Sequence, residues 1–318
     1  STDLRRSTLA SYMARANYSF DSKYLLTASA RWDGASQLAA GNKWDFFPSA
    51  AIAWRLDRED FMKNIKWVDQ LKFRIGVGST GNSSVDIGST LGLLQPLTYT
   101  FGSSAQTGYV SSDASLATPI PLPNKLLSWE KTLQYNLGLD FDLLKGRISG
   151  SLDVYKSKTT DLILLKKIAS VNGYVTSYDN IGSTKNKGID LTLNTVNVKT
   201  KDFSWESTLN FSVSKDEIVK LDNGDMIADR FFIGQRNGVA FDYIKDGIWQ
   251  NTTEDMAEMA KFNANIASVN SQFKAGSIKI RDLNGDYKID ANNDRAILGH
   301  YNPSWTGGLT NTFNYKNF

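Results

Sequence analysis

The sequence predicts an all-β protein, a section of an antiparallel membrane-spanning β-barrel, and three observations predict it. Long segments alternate apolar and polar residues, every second connection between them is short, and aromatic residues gather near the segment ends. Alternation marks a strand with two unlike faces. Short turns at one end and long loops at the other are the habit of an up-and-down membrane barrel.

Nine strands are expected, at roughly 9–20, 23–33, 46–56, 71–80, 130–142, 147–157, 185–198, 202–214 and 304–315. In the fourth, Leu71, Phe73, Ile75 and Val77 oppose Lys72, Arg74 and Gly76. In the fifth, Leu133, Tyr135, Leu137, Leu139 and Phe141 oppose Gln134, Asn136, Gly138 and Asp140. The sixth sets Ile148, Gly150, Leu152 and Val154 against Ser149, Ser151 and Asp153, and the eighth sets Phe203, Trp205, Leu209, Phe211 and Val213 against Ser204, Glu206, Thr208, Asn210 and Ser212. Strands of soluble proteins centre on about five or six residues, whereas a tilted membrane strand needs about 9–11. Most of these segments are of the second kind.

The tight links are Asp21–Ser22, Asp142–Gly146 and Lys199–Lys201, with Asp57–Gln70 longer and helical in character. Between them come the long connections 34–45, 81–129, 158–184 and 215–303. Tyr18, Phe20, Tyr24, Trp32, Trp54, Trp129, Trp205, Trp305, Phe313 and Tyr315 stand near strand ends, where an interfacial girdle puts rings with an apolar body and a polar tip. Inside the longest connection, Thr253–Phe262 has a threonine cap, acids in its first turn and helix formers after them, which predicts a short surface helix.

Composition narrows the chemistry. Hydrophobic residues make up 41% and charged residues 22%, and the net charge is +3. The chain is not of disordered type, and the small charge gives no warrant for nucleic acid as a partner. Without cysteine there is no disulfide framework, thiolate metal site or cysteine nucleophile. With His300 as the one histidine and no G-x-S-x-G elbow, a serine triad has no support, and no enzyme activity is expected. No stretch approaches the 18 or so apolar residues of a membrane helix, and the opening STDLRRSTLA carries no apolar leader. The chain therefore reads as an internal section of a longer exported protein.

The sharpest local motif is Asp282, Asn284, Asp286, Lys288 and Asp290, followed by Asp294. Oxygens at alternate positions of a tight loop suit a hard cation, so a structural Ca²⁺ is one expectation, with Lys288 giving its carbonyl. Tyr287 stands where such loops have glycine, and Asn293 where they have glutamate; an Asx-rich turn without metal is the other reading. Tyr99, Phe101, Tyr109, Tyr174, Tyr178 and Trp249 are loop aromatics that could stack on a substrate or pack on a partner, or cover one another.

Several ordered runs carry a family resemblance. They are Trp44–Leu56 (WDFFPSAAIAWRL), Leu71–Asn82 (LKFRIGVGSTGN), Trp129–Asp140 (WEKTLQYNLGLD), Asn180–Gly182, Asn186–Ile189, Asp246–Gln250 (DGIWQ), Asp282–Asp290 with Asp294–Gly299 (DRAILG), and Pro303–Gly308 (PSWTGG). Together they resemble the SusC/RagA family of TonB-dependent outer-membrane transporters of Bacteroidetes. The resemblance implies a 22-stranded barrel in outer-membrane lipid, closed around an N-terminal plug that TonB pulls. It also implies import of oligosaccharides or peptides with a SusD-like surface lipoprotein. The plug and the TonB box have no counterpart in these residues, and nine strands are under half of such a wall. Two alternatives stand beside it: an outer-membrane barrel that binds glycans or adheres without transporting, and a soluble secreted β-sandwich or glycosidase.

Overall fold

Nine strands hydrogen-bond into one antiparallel sheet in the computed structural model, which describes residues 6–92, 94–102, 104–110 and 120–316. In chain order the strands are β1 (Leu9–Phe20), β2 (Tyr24–Ala35), β3 (Trp44–Arg55), β4 (Val68–Asn82), β5 (Gln95–Phe101), β6 (Ser104–Val110), β7 (Glu130–Leu143), β8 (Ile148–Lys167), β9 (Thr176–Lys199), β10 (Phe203–Lys220), β11 (Val239–Tyr243), β12 (Lys245–Ile248), β13 (Ile278–Ile280), β14 (Arg295–His300) and β15 (Trp305–Tyr315). One α-helix, α1 (Thr253–Asn263), is found among the described residues. The large sheet runs β1-β2-β3-β4-β7-β8-β9-β10-β15, so each strand lies beside the next one in the chain, as in a meander. The hairpin β5–β6 lies within the connection 81–129, and β11 to β14 lie within 215–303.

All nine expected strands are present, but three run further at the loop end. Strands β8 and β9 stay paired to Lys167↔Thr176, so the expected loop 158–184 contracts to the residues around Ser170–Asn172. The register shifts between Thr159 and Ile163, where Asp161 takes a φ of 58°. An extra residue in one strand changes the phase of a period-two pattern. Past that bulge, DLILLKK no longer alternates in step with the residues before it, and the strand becomes illegible as alternation.

The turns at the opposite end are built from local chemistry. Asp21 and Ser22 have φ of 51° and 49°, and Lys23 N–H donates to the Phe20 carbonyl at 3.0 Å. Positive φ at both central positions matches a hairpin turn to the right-handed twist of its strands. Between β7 and β8, Leu144, Lys145 and Gly146 all have positive φ, and the Asp69 carboxylate accepts the amides of Lys145 at 2.5 Å and Gly146 at 3.3 Å. The β3–β4 link contains two short 3₁₀ turns, Leu56–Arg58 and Asp60–Met62, in keeping with its helical character in the sequence.

The two faces of the sheet differ. One row crosses all nine strands through Tyr18, Leu26, Ile52, Ile75, Leu137, Val154, Ile189, Val213 and Trp305. Every member is large and apolar, and every one is 36% to 62% exposed. An apolar patch spanning nine strands is far beyond what a water-facing surface tolerates. In lipid it is the ordinary outer face of a barrel.

Aromatic rings bound that face at both ends. At the turn end, Phe20, Tyr24 and Trp54 stack in sequence, and Glu59 accepts the Tyr24 hydroxyl at 2.7 Å and the Trp54 indole N–H at 2.9 Å. At the loop end, Tyr12, Trp32 and Trp44 cluster with centroids 5.2 to 6.5 Å apart. Tyr24 and Trp32 are eight residues apart on β2, and Trp44 and Trp54 ten apart on β3. At about 3.3 Å per residue and a tilt of about 40°, the two belts lie about 20–25 Å apart along the membrane normal, which matches the apolar band of an outer-membrane barrel. Trp129 is not part of the girdle: it is buried at 3% exposure with Ala35, Leu38 and Phe47, and its indole donates to the Lys43 carbonyl at 2.9 Å. It sits where the 81–129 connection rejoins the sheet, and packing of that connection takes it out of lipid reach.

Residues Asp225–Pro303 form a second compact unit. Here β11 pairs with β14 and β12 with β13. Two small cores fill the unit, one of Phe232, Val239 and Phe241, the other of Trp249, Met259 and Phe262 with Phe273 and Ile289 against it. The helix α1 starts one residue earlier than its sequence cap suggests: Thr252 is the cap, accepting the Asp255 amide at 3.2 Å. The longest connection is thus a folded unit with its own core.

Candidate functional site

The polar face of the sheet is opposite the apolar row, and its side chains largely satisfy one another. Short cross-strand pairs recur along it: Thr27 to Asn17 at 2.9 Å, Ser29 with Ser49 at 2.7 Å, Thr192 to Asn210 at 3.1 Å, Thr208 to Asn194 at 2.9 Å and Ser212 to Asp190 at 2.5 Å. Charges are paired as well. The Arg74 guanidinium grips Asp140 through two donors at 2.9 and 2.8 Å and reaches Asp153 at 3.1 Å, while Lys72 lies 3.3 Å from Asp140. That fork crosses β7 directly over Gly138, where an added Cβ would meet the Arg74 Cζ at 2.6 Å. Gly138 is therefore a positioning residue that the sequence placed on the polar face without assigning it a task.

On this face a recess of ≈ 440 Å³ opens over β1 to β4 and β7. Arg15, Arg31, Ser29, Ser49, Gln134 and Asn136 line it, and Gly76 and Gly78 form its floor. Gln134 and Asn136, expected to point away from lipid, both do so.

The loop end is held by asparagines. Asn180 accepts the Ser128 amide at 2.9 Å and donates to the carbonyls of Ser128 at 3.1 Å and Asp161 at 2.7 Å. Asn124 donates to the Tyr178 carbonyl at 2.9 Å and to Asp179 at 3.2 Å. These contacts clamp the 81–129 connection onto the extended part of β9, and they give the Asn180–Gly182 motif its reason.

The loop aromatics divide. Trp249 is 2% exposed, at the centre of its core with Lys279 Nζ 4.2 Å over the ring, and burial removes it from any contact surface. Tyr178 is half-buried with its hydroxyl donating to Asp86 at 3.1 Å; burial, and then that bond, push the phenol above its ordinary value. Tyr174 is half-buried, and Tyr109, on β6, is exposed. Tyr99 and Phe101 have backbone in β5, but their side chains fall outside the described residues.

The Asp282–Asp294 loop is closed by its own amides. Asp282 accepts from Gly285 at 2.7 Å and Tyr287 at 2.8 Å, Asn284 from Asp286 at 3.3 Å, and Asp286 from the Lys288 amide at 2.8 Å. Asp290 accepts from Asn292 at 2.8 Å and Asn293 at 2.9 Å, and these two amides, Asn293 first, hold its carboxyl below the usual carboxylate range. Among the described residues no three acidic or histidine side chains are arranged to hold a metal ion. The oxygens that the spacing offered to Ca²⁺ accept N–H groups of the loop itself, the hydrogen bonding of an Asx-rich turn.

An apolar row across nine meandering strands, two aromatic belts and a paired polar face define the wall of a membrane β-barrel. Comparison with known proteins makes this specific: residues 1–315 match the family described as TonB dependent receptor-like, beta-barrel, and the chain belongs to that family of outer-membrane proteins. The TonB-dependent receptor SusC of Bacteroides thetaiotaomicron is 36% identical over 98% of this chain and 30% of its own length. The TonB-dependent receptor P3 of Formosa agariphila is 32% identical over 100% of this chain and 31% of its own. The RagAB peptide transporter superposes with a TM-score of 0.75 at 23% identity, over 98% of this chain and 32% of that one, a likeness of fold. Both SusC and a RagAB component are thus among the proteins this chain is similar to, as its motifs lead one to expect. The chain spans roughly a third of the length of the curated relatives it matches.

Proposed function

We propose that this chain supplies wall strands and extracellular loops to a TonB-dependent importer of oligosaccharides or peptides, acting with a SusD-like surface lipoprotein. The observation that carries the reading is the two-faced sheet. Its apolar row is fit only for lipid, and its polar face is lined with hydroxyls, amides and paired charges suited to a hydrated solute path. Membership of the TonB-dependent receptor family supports energy coupling, and the SusC and RagAB likenesses support an import role with a lipoprotein partner.

Deleting the gene should abolish growth on the oligomeric nutrient while growth on its monomers continues, and deleting tonB should have the same effect. Affinity purification of the full-length protein should bring down a lipoprotein in equal amount. Unchanged uptake together with lost surface adhesion would overturn import and favour the non-transporting alternative.

A further inference from the structure

The link between β3 and β4 carries large apolar residues that join none of the buried clusters. Phe61 is 63% exposed and Trp67 56%, although both stand in a connection at the turn end, outside any strand. The link has inward residues of its own, since Met62 and Ile65 are half-buried. Leu144, in the neighbouring β7–β8 turn, is 47% exposed, and its amide donates to the Trp67 carbonyl at 2.8 Å. Strands β3, β4, β7 and β8 are all paired on both sides, so this surface does not lie at an edge of the sheet.

Glu59 fixes the position of the link. Its carboxylate accepts the Tyr24 hydroxyl and the Trp54 indole N–H, and Lys23 lies 3.5 Å from it. Tyr24 and Trp54 are register partners in phase with Leu26 and Ile52 of the apolar row, so they face lipid. Glu59 therefore sits at the rim of the lipid-facing belt. Phe61 is two residues further along, and two residues span at most about 7 Å. Its exposed ring thus continues the belt past the ends of the strands. Arg58, Lys63 and Lys66 are exposed in the same link. Aromatic rings set among Lys and Arg are the composition of an element lying in a membrane interface, where the long cations reach the headgroups.

We infer that the β3–β4 link is an anchor on the periplasmic leaflet, its Phe61 and Trp67 rings seated among glycerophospholipid headgroups. The short turns of an outer-membrane barrel face the periplasm, and the leaflet on that side is built of glycerophospholipids. The occupant follows from continuity: the lipid that covers the apolar row meets the belt of Phe20, Tyr24 and Trp54, and the link begins there. Phosphate and ester oxygens of the headgroup layer accept hydrogen bonds of the kind that an indole N–H, lysine and arginine donate. The inference needs only the barrel's seat in the outer membrane and is independent of what the protein imports.

The test places nitroxide labels on the full-length protein, in a background freed of cysteine and reconstituted in phosphatidylethanolamine–phosphatidylglycerol vesicles. Each label is scored by its accessibility to oxygen, which partitions into lipid, against that to a water-soluble nickel chelate. Leu137→Cys supplies the lipid reference, and Glu254→Cys, exposed on α1, the aqueous one. Labels at Phe61→Cys and Trp67→Cys should give an oxygen-to-nickel ratio about threefold or more above that at Glu254, as for groups about 5–10 Å into the headgroup boundary. A label at Lys66→Cys leaves both rings in place; it should read as interfacial and turn aqueous when Phe61→Ser and Trp67→Ser are added. Heat-modifiable gel mobility should match wild type in every variant. Labels at 61 and 67 as aqueous as Glu254, or a Lys66 label unmoved by loss of the rings, would overturn the anchor. Labels shielded from both reagents would overturn it too, giving the surface to a protein instead of lipid.

Discussion

The carboxylate of Asp294 is fully buried, and both of its oxygens accept backbone hydrogens, from Leu283 at 2.9 Å and Asp290 at 2.8 Å. Asp294→Ala leaves two amides without partners in the closed loop and should cost about 1–3 kcal/mol. Limited proteolysis of the full-length protein should reveal this as faster cleavage within Asp225–Pro303, with the barrel still heat-modifiable. Asp290 gives a pH signature. Its folded-state carboxyl is held below the usual range, so its contribution is present above the unfolded value of about 3.9 and lost as pH falls through the lowered one. Protease resistance of the loop should therefore be flat from neutral pH down to about 5 and decline only below about 4. EGTA should leave that resistance unchanged, since the loop's oxygens are already taken by amides; a loss on chelation would restore the cation reading.

Among the elements, the strands are where the sequence spoke most clearly. Leu137 and Asn136 are adjacent on β7, one in the apolar row and one in the recess lining. Arginine on a lipid face costs about 2–4 kcal/mol at the membrane midplane, and far less in a wet interior. Leu137→Arg and Leu209→Arg should block assembly, read as loss of heat-modifiable mobility, whereas Asn136→Arg should assemble; equal loss at all three would contradict the facing. Periodicity located these strands because burial in lipid requires it of every residue on one face. It failed past Asp161, where a bulge resets the phase, and at Trp129 and Trp249, where a loop packs over a ring that sequence alone leaves exposed. The ion-pair fork of Arg74 was equally invisible: Gly138, Asp140 and Asp153 come together through register, and register is a property of two strands rather than one.

On the scale of the whole molecule, two kinds of order coexist. The sheet is held by regular backbone ladders with few buried side chains, while Asp225–Pro303 is held by small apolar cores around Trp249 and Phe241. Each should fail in its own way. Phe262→Ala removes a buried ring that contacts Trp249 and Phe273, and large-to-small core changes of this type cost about 3–5 kcal/mol. Tryptophan emission and protease sensitivity should register that loss in the loop unit, while barrel mobility on gels stays as in wild type; a variant that also loses barrel mobility would show the two to be one folding unit.

The pairing of polar side chains across the sheet has a kinetic meaning. A hydroxyl that already has a partner gains little by exchanging it for a passing solute's, so most of this surface offers little grip. Residence on it is brief, and friction along it is low. Any pause in a solute's passage is set by the few groups left without a partner, and a wall of this sort conducts best where it is chemically most content.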